Sequence, residues 1–252
     1  MFNPLLVFPQ PRDIPEFLEM MYKSNVGSKY DRLIAKYEYR HLIYHKTRKI
    51  FLERPEYTHY VWGIDDIIFT DKTLDKLIED YNKYLGHDDE ILVADMNIDM
   101  TNFTNRAFVT YKHDPPPVDD WPLKWKHYKF AHVDDQEVLN AKKRNQGIIP
   151  VSWSGLQLAI IPRHVIEHTT FNNDLEYLNK ENDENCCCND VIFAKECADN
   201  GFKMYVDLNA QVKHIKPSTL NNQWYQRLFM VGKIPTHYFI LKADTNKQIR
   251  IS

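Results

Sequence analysis

The chain has 252 residues, a formal net charge of −3, and is 43% hydrophobic and 27% charged. That is the make-up of a globular domain with one sizeable core, with or without an appendage, and it excludes a general electrostatic role on nucleic acid. With only 7 glycines the chain has neither a GxGxxG nor a GxxxxGKS/T phosphate loop, so a bound nucleotide would need a metal and side chains to hold its phosphates.

Leu5-Leu6-Val7-Phe8, closed by Pro9 and Pro11, predicts a buried first strand. Asp13-Ile14-Pro15-Glu16 reads as a helix start with Asp13 as N-cap. Asp31–Tyr37 reads as a second strand. Leu42, Ile43, Ile50 and Phe51 share one face of a helix ending near Arg54, before Pro55. Tyr57–Gly63 is β-branched and aromatic, a third strand. The helix after it has Leu74, Leu77, Ile78, Tyr81 and Leu85 at helical spacing, with Thr70 or Asp71 as cap. Strands follow at Glu90–Ile98 and Ala107–Tyr111. Alternating strands and helices argue for an α/β fold with a mostly parallel sheet, which gathers ligands at the carboxyl ends of its strands.

Residues 113–146 break the pattern with Pro115-Pro116-Pro117 and with Trp121, Trp125, Tyr128 and Phe130. This irregular, aromatic-rich insertion reads either as a loop facing a substrate or as a loop pinned to the core by its tryptophans. Beyond it, Ile148–Val151 and Leu156–Ile161 read as strands flanking a small-residue break at Ser154-Gly155. Pro162–Ile166 opens a helix. Asn172–Asn189 reads as polar loop, and Asp190 starts a helix that Asn200-Gly201 ends, with Gly201 at C′. Phe202–Val206 is a strand, and Ala210–Lys216 continues extended through His214. The last residues, 217–252, form an amphipathic extension suited to packing on the domain, on a second copy or on a membrane surface.

No stretch has a signal peptide's pattern or reaches about 18 apolar residues. Cys186, Cys187 and Cys188 are consecutive, and Cys197 follows. They fit no zinc spacing and read as reduced in a cytoplasmic setting, with a disulfide to Cys197 left open.

The chemistry concentrates at Gly63-Ile64-Asp65-Asp66-Ile67, where two acids interrupt an apolar run. Burying two carboxylates is costly unless something offsets their charge, and a divalent cation is the natural offset. The plainer alternative is a turn or a helix cap.

Three segments in order, Tyr57–Ile67, Val151–Leu158 and Asn189 through Gly201–Val206 to His214, resemble a GT-A-fold glycosyltransferase of the family-2-like kind. The resemblance spans about residues 4–216. It implies a three-layer sandwich as catalytic domain (1–216) with a C-terminal extension (217–252), and transfer of a sugar from a UDP- or GDP-sugar to a glycan, lipid or protein acceptor. It further implies a Mn²⁺ or Mg²⁺ ion held by Asp66 and His214, with Asp65 and Pro9 near the nucleotide. Trp153, Ser154 and Gly155 would face the acceptor, and Asp190 would be the base of an inverting reaction. Ile64 departs from the family, standing where its motif has an acid. A metal-dependent nucleotidyltransferase and a non-catalytic binding protein on the same fold are the alternatives. The first lacks its expected basic or Gly-rich loop, because Phe8-Pro9-Gln10-Pro11-Arg12 occupies that place.

Overall fold

The structure is a computed structural model, and it describes residues 2–10, 13–37, 40–97, 108–111, 130–132, 135–144, 147–171, 189–215, 237–245 and 247–251. Its frame is one large mixed sheet. Strand β1 (Pro4–Gln10) is buried at every position, which is why its sequence is a continuous apolar run rather than an alternating one. It lies between two parallel partners, β2 (Asp31–Lys36) and β3 (His59–Gly63). Beyond β3 the order continues through β10 (Leu158–Pro162), β5 (Glu90–Asn97), β11 (Lys203–His214) and β4 (Ile67–Ile68). β10 runs antiparallel between β3 and β5, and β11 is parallel to β5. β8 (Ile148–Val151) adds antiparallel to β11.

The far edge is built by the C-terminus. β12 (His237–Leu241) pairs antiparallel with β2, and β13 (Gln248–Ile251) pairs with β12. β12 and β13 are therefore integral to the main sheet and not an appendage. Among the described residues that sheet has ten strands. β1, β2, β3, β5, β11 and β13 run one way, against β4, β8, β10 and β12, so the fold is α/β with a mixed sheet. A second, three-stranded sheet joins β6 (Phe108–Tyr111), β7 (Phe130–His132) and β9 (Trp153–Ser154). The chain passes from one sheet to the other across Ser152.

Helices cover both faces. α1 (Pro15–Leu18) runs into a wider π-helical turn over Glu19–Lys23. On β3, Tyr60 and Trp62 turn toward α2 (Arg40–Leu52): Trp62 stacks on Tyr44 at 4.2 Å, and the Tyr60 hydroxyl meets Thr47 Oγ1 at 2.7 Å. His59, on the other face of the same strand, meets Tyr81 of α3 (Asp71–Tyr84) edge-on at 5.3 Å. The period-2 alternation of the strand thus assigns one helix to each face. Of the two candidate caps, Thr70 is the one that caps α3, its side chain accepting from Thr73 N. Gly63 lets the strands close up, because a Cβ there would stand 3.1 Å from the Phe8 ring.

Two further expectations change. Ile14, not Asp13, is the N-cap of α1; Asp13 instead accepts bonds from Gln10 Nε2 (2.8 Å) and the Tyr37 hydroxyl (2.9 Å). The two extended stretches around residue 208 are one strand, β11, with a bulge between Asp207 and Gln211. Cys197 is a buried free thiol, which agrees with the reduced reading and not with the disulfide left open. Within 113–146, residues 130–132 and 135–143 are regular, as β7 and α4 (Asp135–Lys143). Trp121, Trp125, Tyr128 and Cys186–Cys188 lie outside the described residues.

Candidate active site at the carboxyl edge

After Gly63 the chain does not turn back along β3. It passes across the ends of β10 and β5 to pair β4 with β11, matching Ile67 to His214 and Ile68 to Lys213. Two backbone bonds fix this crossing, Ile64 N to the Gln157 carbonyl at 3.2 Å and Ile215 N to the Asp66 carbonyl at 2.7 Å. Gln157, wholly buried, also donates from Nε2 to the Ala94 carbonyl at 2.5 Å and accepts from Ser154 Oγ at 3.4 Å. The acidic pair is therefore held by β10 and β11, two strands far away in sequence.

The crossing brings Asp66 Oδ2 to 3.9 Å from His214 Nε2, with side chains 12% and 20% exposed. Asp65 is almost fully buried at 1%, and Ile64 at 6% turns into the core. A buried isoleucine cannot serve as a ligand, so this motif offers Asp66 and its neighbour, not a pair flanking one residue. Asp95 on β5 is a third buried acid at this edge, reached by Gln211 Nε2 at 3.4 Å. Neighbouring ligands of one divalent ion, each about 2.1 Å from it, stand roughly 3.0–3.4 Å apart. Asp66 and His214, at 3.9 Å, would close slightly on an ion between them. Among the described residues they do not belong to a group of three such side chains within 4.8 Å of one another. An ion here would complete its shell with water and ligand oxygens, as Mg²⁺ and its relatives commonly do with phosphates.

Pro9 lies buried in β1, paired with Ala35. Its neighbour Gln10, 1% exposed, is the more informative residue. Its Oε1 accepts from the Tyr22 hydroxyl at 3.2 Å, its Nε2 donates to Asp13, and its carbonyl accepts from Tyr37 N at 3.0 Å. Tyr37 has φ of 56°, a left-handed conformation costly for an aromatic residue, and Lys36 Nζ lies 5.0 Å from the Tyr22 ring centroid. This polar and aromatic cluster closes the ends of β1 and β2. The resemblance points to Pro9, Gln10 and Asp31–Lys36 at this edge, but the sequence does not single out Asp13, Tyr22 or Tyr37 as its other members, because each is ordinary alone.

Trp153 and Ser154 form β9, with Ser154 fully buried and Trp153 half-buried, and Gly155 follows in the turn. The helix α6 (Asn189–Asp199) packs against β9. Asp190, half-buried, sits in the first turn of α6, where an acid also complements the helix dipole. Gly201 (φ 74°) ends α6 as a C′ glycine. The structure thus sets Asp190's helix beside the Trp153–Ser154 segment and, separately, brings Asp66 to His214.

No family model matches the chain, and no curated protein matches it. Among solved structures it is similar to the crystal structure of A197 from STIV, with 14% identity, a TM-score of 0.49, and coverage of 100% of this chain and 95% of that one. Among the described residues no helix is long and apolar enough to cross a membrane.

Proposed function

We propose that the protein is a metal-assisted glycosyltransferase of GT-A type, using a nucleotide-diphosphate sugar and acting with inversion. The observation that carries this reading is the 3.9 Å approach of His214 Nε2 to Asp66 Oδ2, two residues far apart in the chain that meet at the carboxyl edge. Mixed carboxylate and imidazole ligation with open positions suits a divalent ion that also takes diphosphate oxygens. Such an ion would stabilise the departing diphosphate as a Lewis acid.

The chain's own residues would divide the remaining work. Asp66 and His214 hold the ion. Asp13, Tyr37 and Tyr22, at the ends of β1 and β2, offer an acceptor, hydroxyls and ring faces to a nucleoside, with Gln10 buried beneath them as their support. Asp190 takes the acceptor hydroxyl's proton as that oxygen attacks the anomeric carbon. Trp153 and Gly155 line the approach of the acceptor, whether glycan, lipid or protein. A second reading, a non-catalytic nucleotide-sugar binder, is favoured by Ile64, which removes one acid from the motif and commits its place to the core.

Titration with UDP-glucose and GDP-mannose in the presence of Mn²⁺, followed by calorimetry and by release of free sugar, tests both readings. Metal-dependent binding with sugar release supports the transferase. Binding without release supports the binder, and absence of binding to either donor would count against both.

A further inference from the structure

A second constellation lies at the opposite, amino edge of the parallel strands. The short helix α5 (Arg163–His168) follows β10 and presents His164, Glu167 and His168, whose ligand atoms all lie within 4.8 Å of one another. Histidines four residues apart share one helix face, and Glu167, three after His164, lies beside them on the same side of the helix. Among the described residues this is the one group of three His, Cys, Asp or Glu side chains so placed. His164 and Glu167 also line a cavity of about 500 Å³ whose walls include His59, Tyr81, Asp88 and Arg163.

The scaffold is rigid despite its length. Val165 and Ile166 are fully buried. Arg163 donates to the carbonyls of Tyr57 (2.8 Å), Phe51 (3.1 Å) and Arg54 (2.6 Å), and its own N–H bonds the Thr58 carbonyl at 2.9 Å. Arg48 occupies the last carbonyls of the helix, Ile166 at 2.9 Å and Glu167 at 3.3 Å. Both ends of α5 are thereby tied to the body of the protein, so its three outward side chains start from a fixed frame.

The imidazoles are prepared as ligands. His168 Nδ1 lies 2.8 Å from the His164 carbonyl, which can only accept, so Nδ1 donates there and the neutral ring turns Nε2 outward as the ligand atom. Histidine ligands in metal sites are commonly fixed by such a bond from the second ring nitrogen. Phe202 meets both rings edge-on, at 5.6 Å from His164 and 6.2 Å from His168. Arg163 Nη1, 3.7 Å from Glu167 Oε1, steadies the carboxylate. Tetrahedral ligands around zinc stand about 3.3 Å apart, so small rotamer adjustments of these exposed side chains would close the group on an ion.

We propose that His164, Glu167 and His168 form a transition-metal site of the zinc class, with its open position facing the amino-edge cavity. Two imidazoles and one carboxylate select Zn²⁺, Co²⁺, Ni²⁺ or Cu²⁺ over Mg²⁺ and Mn²⁺. Three protein ligands leave the fourth position for water or for a small ligand entering the cavity. The site is independent of the carboxyl-edge pair, because His59 and Gly63 mark opposite ends of β3, roughly 13 Å apart at about 3.3 Å per residue, with α5 beyond the first end and Asp66 beyond the second.

Calorimetric titration of the full chain with ZnCl₂, and visible absorption with Co²⁺, test the site. With excess Mg²⁺ present to occupy the carboxyl-edge pair, one equivalent should bind at α5, with the intense Co²⁺ bands of four-coordination and no competition from that Mg²⁺. His164→Ala and His168→Ala should each weaken binding by on the order of 100-fold, while Asp66→Asn should leave it unchanged. The Cu²⁺ electron paramagnetic resonance spectrum of the unaltered chain should show two imidazole nitrogens, a readout that needs no variant to fold. Absence of stoichiometric binding, unchanged binding in the double histidine variant, or loss of binding in Asp66→Asn alone would overturn the assignment.

Discussion

Lys242 Nζ lies 2.5 Å from Asp31 Oδ2, joining the turn of the C-terminal hairpin to the start of β2, 211 residues earlier. The same ammonium donates to the Tyr57 hydroxyl at 2.8 Å, Tyr57 donates to Asp31 at 2.6 Å, and Ala243 N donates to Asp31 Oδ1 at 2.9 Å. Burial pushes the Asp31 carboxyl upward, but the bonds from Lys242, Tyr57 and Ala243 outweigh it and hold the group below its usual value. Burial likewise lowers Lys242, yet its bonds to Asp31 and Tyr57 win and raise it.

Lys242→Met should therefore cost about 2 kcal/mol near neutral pH, the range of a charge-assisted hydrogen bond. The depressed Asp31 contributes stability above its unfolded pKa, near 4, and loses it as pH falls through the lower folded value. The raised Lys242 contributes below its unfolded pKa, near 10.4, and loses it above. Urea unfolding of both chains should show a constant gap between about pH 5 and pH 9 that narrows at pH 3. A gap as wide at pH 3 as at pH 7 would exclude the ionic account.

Asp207 gives a dependence of opposite sign. It is fully buried in the bulge of β11, and burial pushes its carboxyl up to about 7 against the opposing bond from Asn209 N, with Asp80 nearby adding to the rise. Asn209 Nδ2 and Lys76 Nζ both reach Asp80, at 3.1 and 2.7 Å. An acid with a raised folded pKa holds its proton more tightly when folded, so this group's contribution falls as pH rises from about 4 to about 7. Asp207→Asn keeps the acceptor for Asn209 N and has no charge to bury. It should be more stable than wild type at pH 8 by about 4 kcal/mol, the linkage value of a rise of roughly three pKa units, and level with it at pH 4. Equal stability at pH 8 would show that the carboxylate ionises without penalty.

If the Asp66–His214 pair holds the donor's metal, Asp66→Asn and His214→Ala should each remove the Mn²⁺-dependent part of the thermal shift given by UDP or GDP. A ligand at 100 times its dissociation constant adds about 2.7 kcal/mol of stability, so the loss is readily measured. A full shift in both variants would take these residues out of donor binding.

Asp190→Asn separates chemistry from binding. General-base catalysis is worth about 10²–10⁴-fold, so transfer should fall by that much while the nucleotide-dependent shift stays intact. Wild-type turnover would reduce Asp190 to the acid that complements the dipole of α6.

Much of the local structure is written in residue order. Leu5–Phe8 is apolar throughout because β1 is covered on both faces, and Leu74, Leu77, Ile78 and Tyr81 repeat at helical spacing because one face of α3 is buried. Thr70 and Gly201 mark helix ends through their own chemistry. Asp13 misled for the opposite reason: an acid ahead of a proline reads as a cap, but Gln10 and Tyr37 claim its carboxylate first. The HVIEH run on α5 also passed unnoticed, although its ligand spacing is visible in the letters, because only the packing of Val165 and Ile166 turns all three polar side chains outward together.

What the sequence determined by itself is the set of pieces: buried strands, amphipathic helices, and an acidic pair following a glycine. Those depend on the periodicity and conformational preference of neighbouring residues, which are local quantities. Which pieces meet was decided by the tertiary structure alone. Antiparallel β10 between β3 and β5, the C-terminal hairpin on β2, and His214 beside Asp66 depend on pairing between distant strands. A strand's pattern states which side must be buried but not which neighbour completes its hydrogen bonds, so only the assembled sheet puts the carboxylate and the imidazole at one edge.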